Sequence, residues 1–273
     1  MAPGAGEPSV RRIAASPQIA VIQLNRPKRL NALSPLVIEQ LHEELDALAD
    51  DLSCRVVVLT GAGRGFCAGL DMVEHEDLLT DAGQRSPQQR MRVQKSIAGL
   101  VLKLRALPQP VVAAVNGPAA GGGLALALAS DIRLAAPSAR FDIAFLRIGL
   151  SACDIGVSWL LPRLIGASRA FEIMLTGRSI GAEEAERIGL VTRVVTDGDM
   201  LEAALSVAGA IADNSPMGVR MTKEVMWSQL EVGSLTAGID LENRTQILTS
   251  FSKDQDEAWS AFVQRRVPDF HDH

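Results

Sequence analysis

Cysteine is scarce in this chain. Cys54, Cys67 and Cys153 are the only three in 273 residues, and their spacing is neither paired nor metal-like. That argues against a disulfide framework and for a reducing compartment. Histidine is equally thin. His42, His75, His271 and His273 form no i, i+4 pair, so neither a structural nor a catalytic metal is expected. Positive charge is nowhere concentrated. The net charge is −5 and there is no basic block, which argues against nucleic acid as a partner. No apolar run reaches the length of a membrane span. The first dozen residues contain Pro, Gly and Ser rather than the apolar core of a signal peptide. A cytoplasmic protein without a membrane partner is therefore expected. No short internal repeat is evident.

Apolar residues make up 47% of the chain, ample for one large domain or one domain with an appendage. The informative stretch is Asn116-Gly117-Pro118-Ala119-Ala120-Gly121-Gly122-Gly123. The β-branched run Val111 to Val115 before it reads as a buried strand, and the Leu/Ala run after it as a buried helix. Three glycines thus fall between a strand and a helix start. Glycine permits close backbone approach, and a helix N-terminus offers unpaired N–H groups, so an anionic oxygen is well accommodated there. A tight turn without a ligand remains the alternative. The G-x-G-x-x-G spacing of a dinucleotide site is missing. A second strand, Val56 to Thr60, also runs into glycines: Gly61-Ala62-Gly63-Arg64-Gly65-Phe66-Cys67-Ala68-Gly69-Leu70-Asp71. Two such loops can each give one N–H to the same oxygen, as acyl-transfer, enolate and hydration chemistry require.

Elsewhere the pattern predicts paired strands from Val10 to Leu24 and a helix capped by Ser34 with Pro35 at its first position. A second helix begins at Ser86-Pro87. The polar segment around Glu74, His75, Glu76, Asp77, Asp81 and Arg85 reads as irregular. Further helices are expected over 168–176 and 182–188, a strand at Val191 to Val195, and helix almost throughout from Met200, with breaks at Ser215-Pro216 and near Gly233. Asp154 lies in a run of apolar and small residues just before a helix. Spacing alone favours an N-cap role, with a catalytic acid/base of raised pKa as the alternative.

Phe66-Cys67-Ala68-Gly69-Leu70-Asp71, with Asn116-Gly117 and Gly121-Gly122-Gly123 following, resembles the enoyl-CoA hydratase/isomerase (crotonase) superfamily. Leu24-Asn25-Arg26-Pro27, Asn31-Ala32-Leu33, Ser130-Asp131-Ile132-Arg133, Leu175-Thr176-Gly177-Arg178, Ala182-Glu183-Glu184-Ala185 and Ala261 to Arg266 extend the likeness over about residues 10–273. The resemblance implies an α/β fold: a crotonase-like spiral of repeated β-β-α units over residues 1–199. Residues 200–273 would form a helical C-terminal trimerisation region, giving a homotrimer or a dimer of trimers. It implies an acyl-CoA substrate, with coenzyme A arriving as part of the thioester and no separate cofactor. The backbone N–H groups of Leu70 and Gly122 would form the oxyanion hole, where a side chain on Gly122 would crowd the acyl group. Arg26, Lys28, Ala68, Leu70 and Asp71 would lie along the CoA, the Ala68 carbonyl at its adenine. Phe262 and Arg265 would reach the CoA of a neighbouring subunit. The segment around 72–95 would supply a wall of the acyl pocket.

The departures from the hydratase pattern bear on the reaction. The two positions where hydratases of this family carry glutamates are Ala125 and Phe145 here, and neither moves a proton. One acid survives: with a one-residue insertion after Leu150, Asp154 falls where certain family isomerases carry a catalytic aspartate. Ser158-Trp159-Leu160-Leu161-Pro162-Arg163 resembles the isomerases of a ring-opening phenylacetate-type pathway. A matching place holds the nucleophile of a CoA-thioester dehalogenase, a reading that would need a base such as His75. A proton-shuttling enoyl-CoA isomerase is thus expected. The alternatives are a β-oxidation enoyl-CoA hydratase whose acids lie elsewhere (Glu74, Glu76 or Asp142) and a non-catalytic acyl-CoA-binding family member.

Overall fold

The computed structural model describes residues 7–76, 86–195 and 200–272. Asp77, Asp81, Arg85 and His273 lie outside the described residues. The opening strands β1 (Val10–Ser16) and β2 (Ile19–Leu24) pair antiparallel around Pro17, as their pattern predicts. Every later strand of the main sheet then enters parallel: β3 (Val56–Gly61) on β2, and β4 (Val111–Val115) on β3. Parallel neighbours need crossovers, and helices supply them. Helix α1 (Pro35–Ala49) links β2 to β3, and α2 (Pro87–Ala106) links β3 to β4. Both start as the sequence indicates. The Ser34 hydroxyl accepts from the Val37 N–H at 3.2 Å, and Ser86 and Gln89 form a reciprocal capping box.

After β4 the chain forms a short strand, β5 (Pro118–Ala120), before helix α3 (Gly122–Ala129). The glycine run is therefore not a direct strand-to-helix turn. β5 joins β7 (Arg140–Asp142) and β8 (Ser179–Gly181) in a small second sheet of order β5-β7-β8, which pattern reading misses because each strand is three residues long. The main sheet continues through β6 (Ile132–Ala135) to β9 (Arg193–Val194), giving the order β1-β2-β3-β4-β6-β9. Helices α4 (Val157–Ile165), α5 (Ala167–Thr176) and α6 (Ala182–Arg187) lie between β7 and β9.

Both faces of the sheet are buried, which is why its strands read as unbroken apolar runs. Ile22, Val57, Leu59, Ala113 and Val115 face the core shared with α1, α2 and α3. Val21, Val56, Val58, Val112 and Ala114 face α7 (Met200–Ala212), whose Met200, Ala204, Ala208 and Ala212 recur every four residues. Helix α7 lies within the segment expected to serve oligomer contacts, yet it covers the sheet. Helices α8 (Pro216–Gln229), α9 (Leu235–Thr249) and α10 (Lys253–Gln264) follow, with an additional break between α9 and α10.

A polar cluster ties α8 to the sheet. Asp131, at the start of β6, accepts from the Val111 N–H and the Trp227 indole, both at 2.7 Å, and pairs with buried Lys223 at 2.9 Å. Arg105 of α2 stacks 3.7 Å from the ring centre of Trp227 and 4.7 Å from that of Trp159 on α4. Arg163 lies 3.7 Å from the latter ring. Each such contact is worth roughly 0.5–2 kcal/mol. Among the described residues no helix is long and apolar enough to cross a membrane.

Candidate active site

The loop after β3 is braced by two asparagine amides. Leu30 and Asn31 both adopt positive φ, 47° and 58°, a conformation asparagine tolerates better than most residues. This turns the Asn31 side chain inward. Its Nδ2 donates to the carbonyls of Ala62 (2.9 Å) and Gly65 (2.7 Å), and its Oδ1 accepts from the Arg26 N–H at 2.8 Å. Asn116, at the end of β4, donates to the carbonyls of Gly61 (2.9 Å) and Gly63 (2.8 Å). Loop carbonyls that would otherwise need water are thus held by fixed donors.

Two glycines then bring the loop against the Gly121-Gly122-Gly123 segment. At Gly123 a Cβ would stand 2.0 Å from the Cys67 carbonyl oxygen. Gly69 has φ +87°, and a Cβ on it would lie 2.7 Å from the Ala120 oxygen and 3.4 Å from the Gly122 nitrogen. The peptide leading into Leu70 therefore borders the Gly122 amide. Leu33 bridges this loop: its N–H donates to the Gly69 carbonyl at 2.7 Å, and its carbonyl accepts from the Asp71 N–H at 3.0 Å. In such a parallel bridge the intervening residue's own N–H, that of Leu70, points away from the bridge. Gly122 opens α3, so its N–H is one of the helix's unpaired donors. Among the described residues neither N–H has an acceptor. A side chain on Gly122 would first meet the Leu33 Cδ1, at 2.8 Å.

Among the described residues the candidate acids are few. Ala125 is fully buried within α3. Phe145 is buried with its ring edge 3.6 Å from where a Cβ on Gly121 would be. Glu74 pairs with Arg26, and Asp142 lies 3.6 Å from Arg147. Asp154 is half-buried in the turn before α4. The N-cap reading of Asp154 is not what the structure shows: the cap of α4 is Gly156, with no side-chain bond. Instead, Asp154 Oδ1 accepts from the Ile155 N–H at 2.8 Å and from the Gln94 side-chain amide. Ile155 carries the turn to the glycine run, its Cδ1 lying 3.7 Å from the Cβ position of Gly122. Asp154 thus adjoins a residue whose side chain borders Gly122. His75 is buried, with Nδ1 3.1 Å from the Asp71 carbonyl. Burial pushes the Cys67 thiol up to about 12, which leaves it inert. Among the described residues no cluster of His, Cys, Asp or Glu would hold a metal.

The residues expected along the CoA separate into two sets. Arg26 is internal. Its guanidinium donates to Asp71 Oδ2 at 3.0 Å, to the Ala32 carbonyl at 2.9 Å and to Glu74. Asp71 is buried and also faces Arg29. These two residues hold the loop and are not open to a ligand's phosphates. Lys28 is exposed, and among the described residues the Ala68 carbonyl takes no hydrogen bond. Phe262 and Arg265 are exposed at the end of α10.

Burial alone would raise the Asp71 carboxyl, but the Glu74 N–H, Arg26 and Arg29 outweigh it and hold the group below its ordinary 3.8. A carboxylate depressed in the fold stabilises it fully above 3.8 and loses that contribution as the pH falls through the lowered value. Urea unfolding of Asp71→Asn is therefore expected to show a deficit against wild type at neutral pH that shrinks once the pH drops below 3.8. A deficit independent of pH would contradict this.

Asn31 and Asn116 belong to motifs visible in the sequence, and a buried amide beside a glycine-rich loop is a usable signal for a brace. Gln94 gave none, since only folding brings α2 to the turn at Asp154.

A family model described as enoyl-CoA hydratase/isomerase matches residues 14–273. The chain is 47% identical over 262 residues to a Mycobacterium tuberculosis protein named probable enoyl-CoA hydratase EchA12, covering 94% of this chain and 90% of that one. It is 39% identical over 252 residues to the 1,2-epoxyphenylacetyl-CoA isomerase of Escherichia coli, covering 92% and 94% respectively. The crystal structure of a probable enoyl-CoA hydratase/isomerase from Mycobacterium abscessus matches with a TM-score of 0.88 at 40% identity, over 97% of this chain and 99% of that one. These matches define a crotonase-fold enzyme, and the chain belongs to the enoyl-CoA hydratase/isomerase family.

Proposed function

We propose that this protein is an enoyl-CoA isomerase that moves a proton between Cα and Cγ of an acyl-CoA thioester with one carboxylate, Asp154. The thioester oxygen sits between the N–H groups of Leu70 and Gly122. Asp154 removes the Cα proton of a 3-enoyl-CoA, and the C–H electron pair delocalises into a dienolate whose negative oxygen the two amides hold. Donors fixed in advance favour that charged state over the neutral thioester. The protonated Asp154 then returns the proton to Cγ, and the double bond emerges conjugated. Nothing is consumed, so no resident cofactor is needed. The division of labour between one aspartate and an oxyanion hole is that of ketosteroid isomerase. Lys28, the Ala68 carbonyl and Leu70 hold the CoA, and Phe262 and Arg265 meet that of a neighbouring subunit.

The observation that carries this reading is that neither hydratase acid position holds an acid: Ala125 and Phe145 are buried and apolar, while Glu74 and Asp142 are ion-paired. The named activity of the Escherichia coli relative lends further support. The test is a pair of assays on the purified protein. With a 3-enoyl-CoA, the conjugated 2-enoyl product should accumulate. Robust conversion of a 2-enoyl-CoA to the 3-hydroxyacyl-CoA would instead establish water addition. Acyl-CoA binding without turnover would establish a binder.

The same reading includes an assembly through the C-terminal helices. Leu235, Phe251, Trp259, Phe262 and Val267 are exposed there, which supports a contact surface on these helices. A homotrimer buries them. Sedimentation equilibrium should give three times the 29.1 kDa chain mass, or six times for a dimer of trimers, and a monomer at micromolar concentration would contradict this.

A further inference from the structure

We infer that Gln94 is a positioning residue for Asp154: its side-chain amide holds Oδ1 so that Oδ2 is the oxygen that carries the proton. The inference rests on the reading of Asp154 as the proton carrier.

The Asp154 carboxylate is bound on one side only. Oδ1 accepts from the Gln94 Nε2 and from the Ile155 N–H at 2.8 Å, whereas Oδ2 has no partner among the described residues. The backbone is pinned as well, since the Asp154 carbonyl accepts from the Val157 N–H at 2.8 Å. The turn between is strained. Ile155, a β-branched residue, has φ +35° and is followed by Gly156 at +87°, a conformation that persists only when its surroundings enforce it. A carboxylate on a strained turn needs an external support if it is to keep one rotamer, and α2 provides it. Gln94 and Arg105 lie about three helical turns apart, so they share a face of α2. Arg105 stacks on Trp159 while Gln94 reaches Asp154, and the same helix is thereby registered against both ends of the segment 154–159.

The chemistry of an amide suits the task. It donates without carrying charge, so it orients the carboxylate without the strong acidification that a lysine or arginine would impose on a base. It does not titrate, so the hold is the same before and after the proton moves.

Two variants test this in the 3-enoyl-CoA isomerisation assay. Gln94 is exposed, so both are expected to fold with wild-type melting behaviour. Gln94→Ala should lower kcat by about 10- to 100-fold with KM within about twofold, the scale of a misplaced reacting group. Gln94→Glu keeps the shape but, when ionised, cannot donate and repels Asp154. It should be at least as impaired as Gln94→Ala at neutral pH. A side chain that merely fills space would leave Gln94→Glu near wild type, and that result would overturn the inference, as would wild-type kcat in Gln94→Ala. Asp154→Asn, assayed alongside, separates the two claims. If it stays fully active, the reading of Asp154 itself falls. If it is inactive while both Gln94 variants work normally, only the positioning role falls.

Discussion

Asp154→Asn is expected to lower kcat for enoyl-CoA isomerisation by about 10²–10⁴-fold, the usual contribution of a positioned acid/base, while acyl-CoA affinity and melting temperature stay near wild type. Asparagine has the same shape, and its carbonyl oxygen can still accept from Gln94 and from the Ile155 N–H, as Oδ1 does now. What it loses is the basic oxygen. The residue is half-buried and no cation pairs with it among the described residues, so little stability rides on its charge. Stopped-flow or steady-state kinetics together with equilibrium binding of a saturated acyl-CoA check both halves. Loss of binding along with rate would mean that the substitution had disturbed the turn. Unchanged kcat would remove Asp154 from the mechanism, and with Ala125 and Phe145 at the other two positions the one-carboxylate account would fail.

Gly123→Ala is expected to be among the most damaging single-methyl changes at the described glycines. The added Cβ would stand 2.0 Å from the Cys67 carbonyl oxygen, 2.7 Å from the Cys67 Cβ and 2.8 Å from its carbonyl carbon. Two of these atoms are backbone, so no rotamer relieves the clash. The two loops must separate, and Cys67 is fully buried between β3 and the glycine run. Overpacking a tight core costs about 1–3 kcal/mol, occasionally more, and this variant should sit at or above the top of that range. Moving Leu70 away from Gly122 should also cost activity on the scale of a lost oxyanion donor, about 10²–10³ in kcat. Gly209→Ala is the control: it lies in α7, where a Cβ meets nothing within 4 Å. That change should be neutral or stabilising, because alanine is the better helix former. Urea unfolding and the isomerisation assay check both variants, and a Gly123→Ala protein as stable and active as wild type would contradict the packing described here.

Much of the fold was legible because its signals are local. Ser34-Pro35 and Ser86-Pro87 mark helix starts through caps that need no tertiary partner, and the β-branched runs at Val56 and Val111 announce strands buried on both faces. The small sheet was hidden: β5, β7 and β8 carry no periodicity in three residues each, and only their mutual pairing makes them strands. The loops that face one another were visible as glycine clusters. The separate reason for each glycine was not, because the closest approach at Gly123 is to Cys67, far away in sequence. Spacing misread Asp154 as a cap because α4 begins two residues later than its pattern implies, after the left-handed pair Ile155 and Gly156. Arg26 was expected along the CoA because the resemblance places its turn there and a basic residue in a turn reads as exposed. Its burial depends on Asp71 and Glu74, which reach it only when the two loops meet.

The most direct measurement is a crystal structure with a non-hydrolysable 3-enoyl-CoA analogue. The oxygen that replaces the thioester carbonyl should lie about 2.7–3.2 Å from both the Leu70 and the Gly122 nitrogens, with Asp154 Oδ2 facing Cα and Cγ from one side. An acyl group seated elsewhere, amides that diverge from that oxygen, or a different carboxylate over Cα would contradict the account.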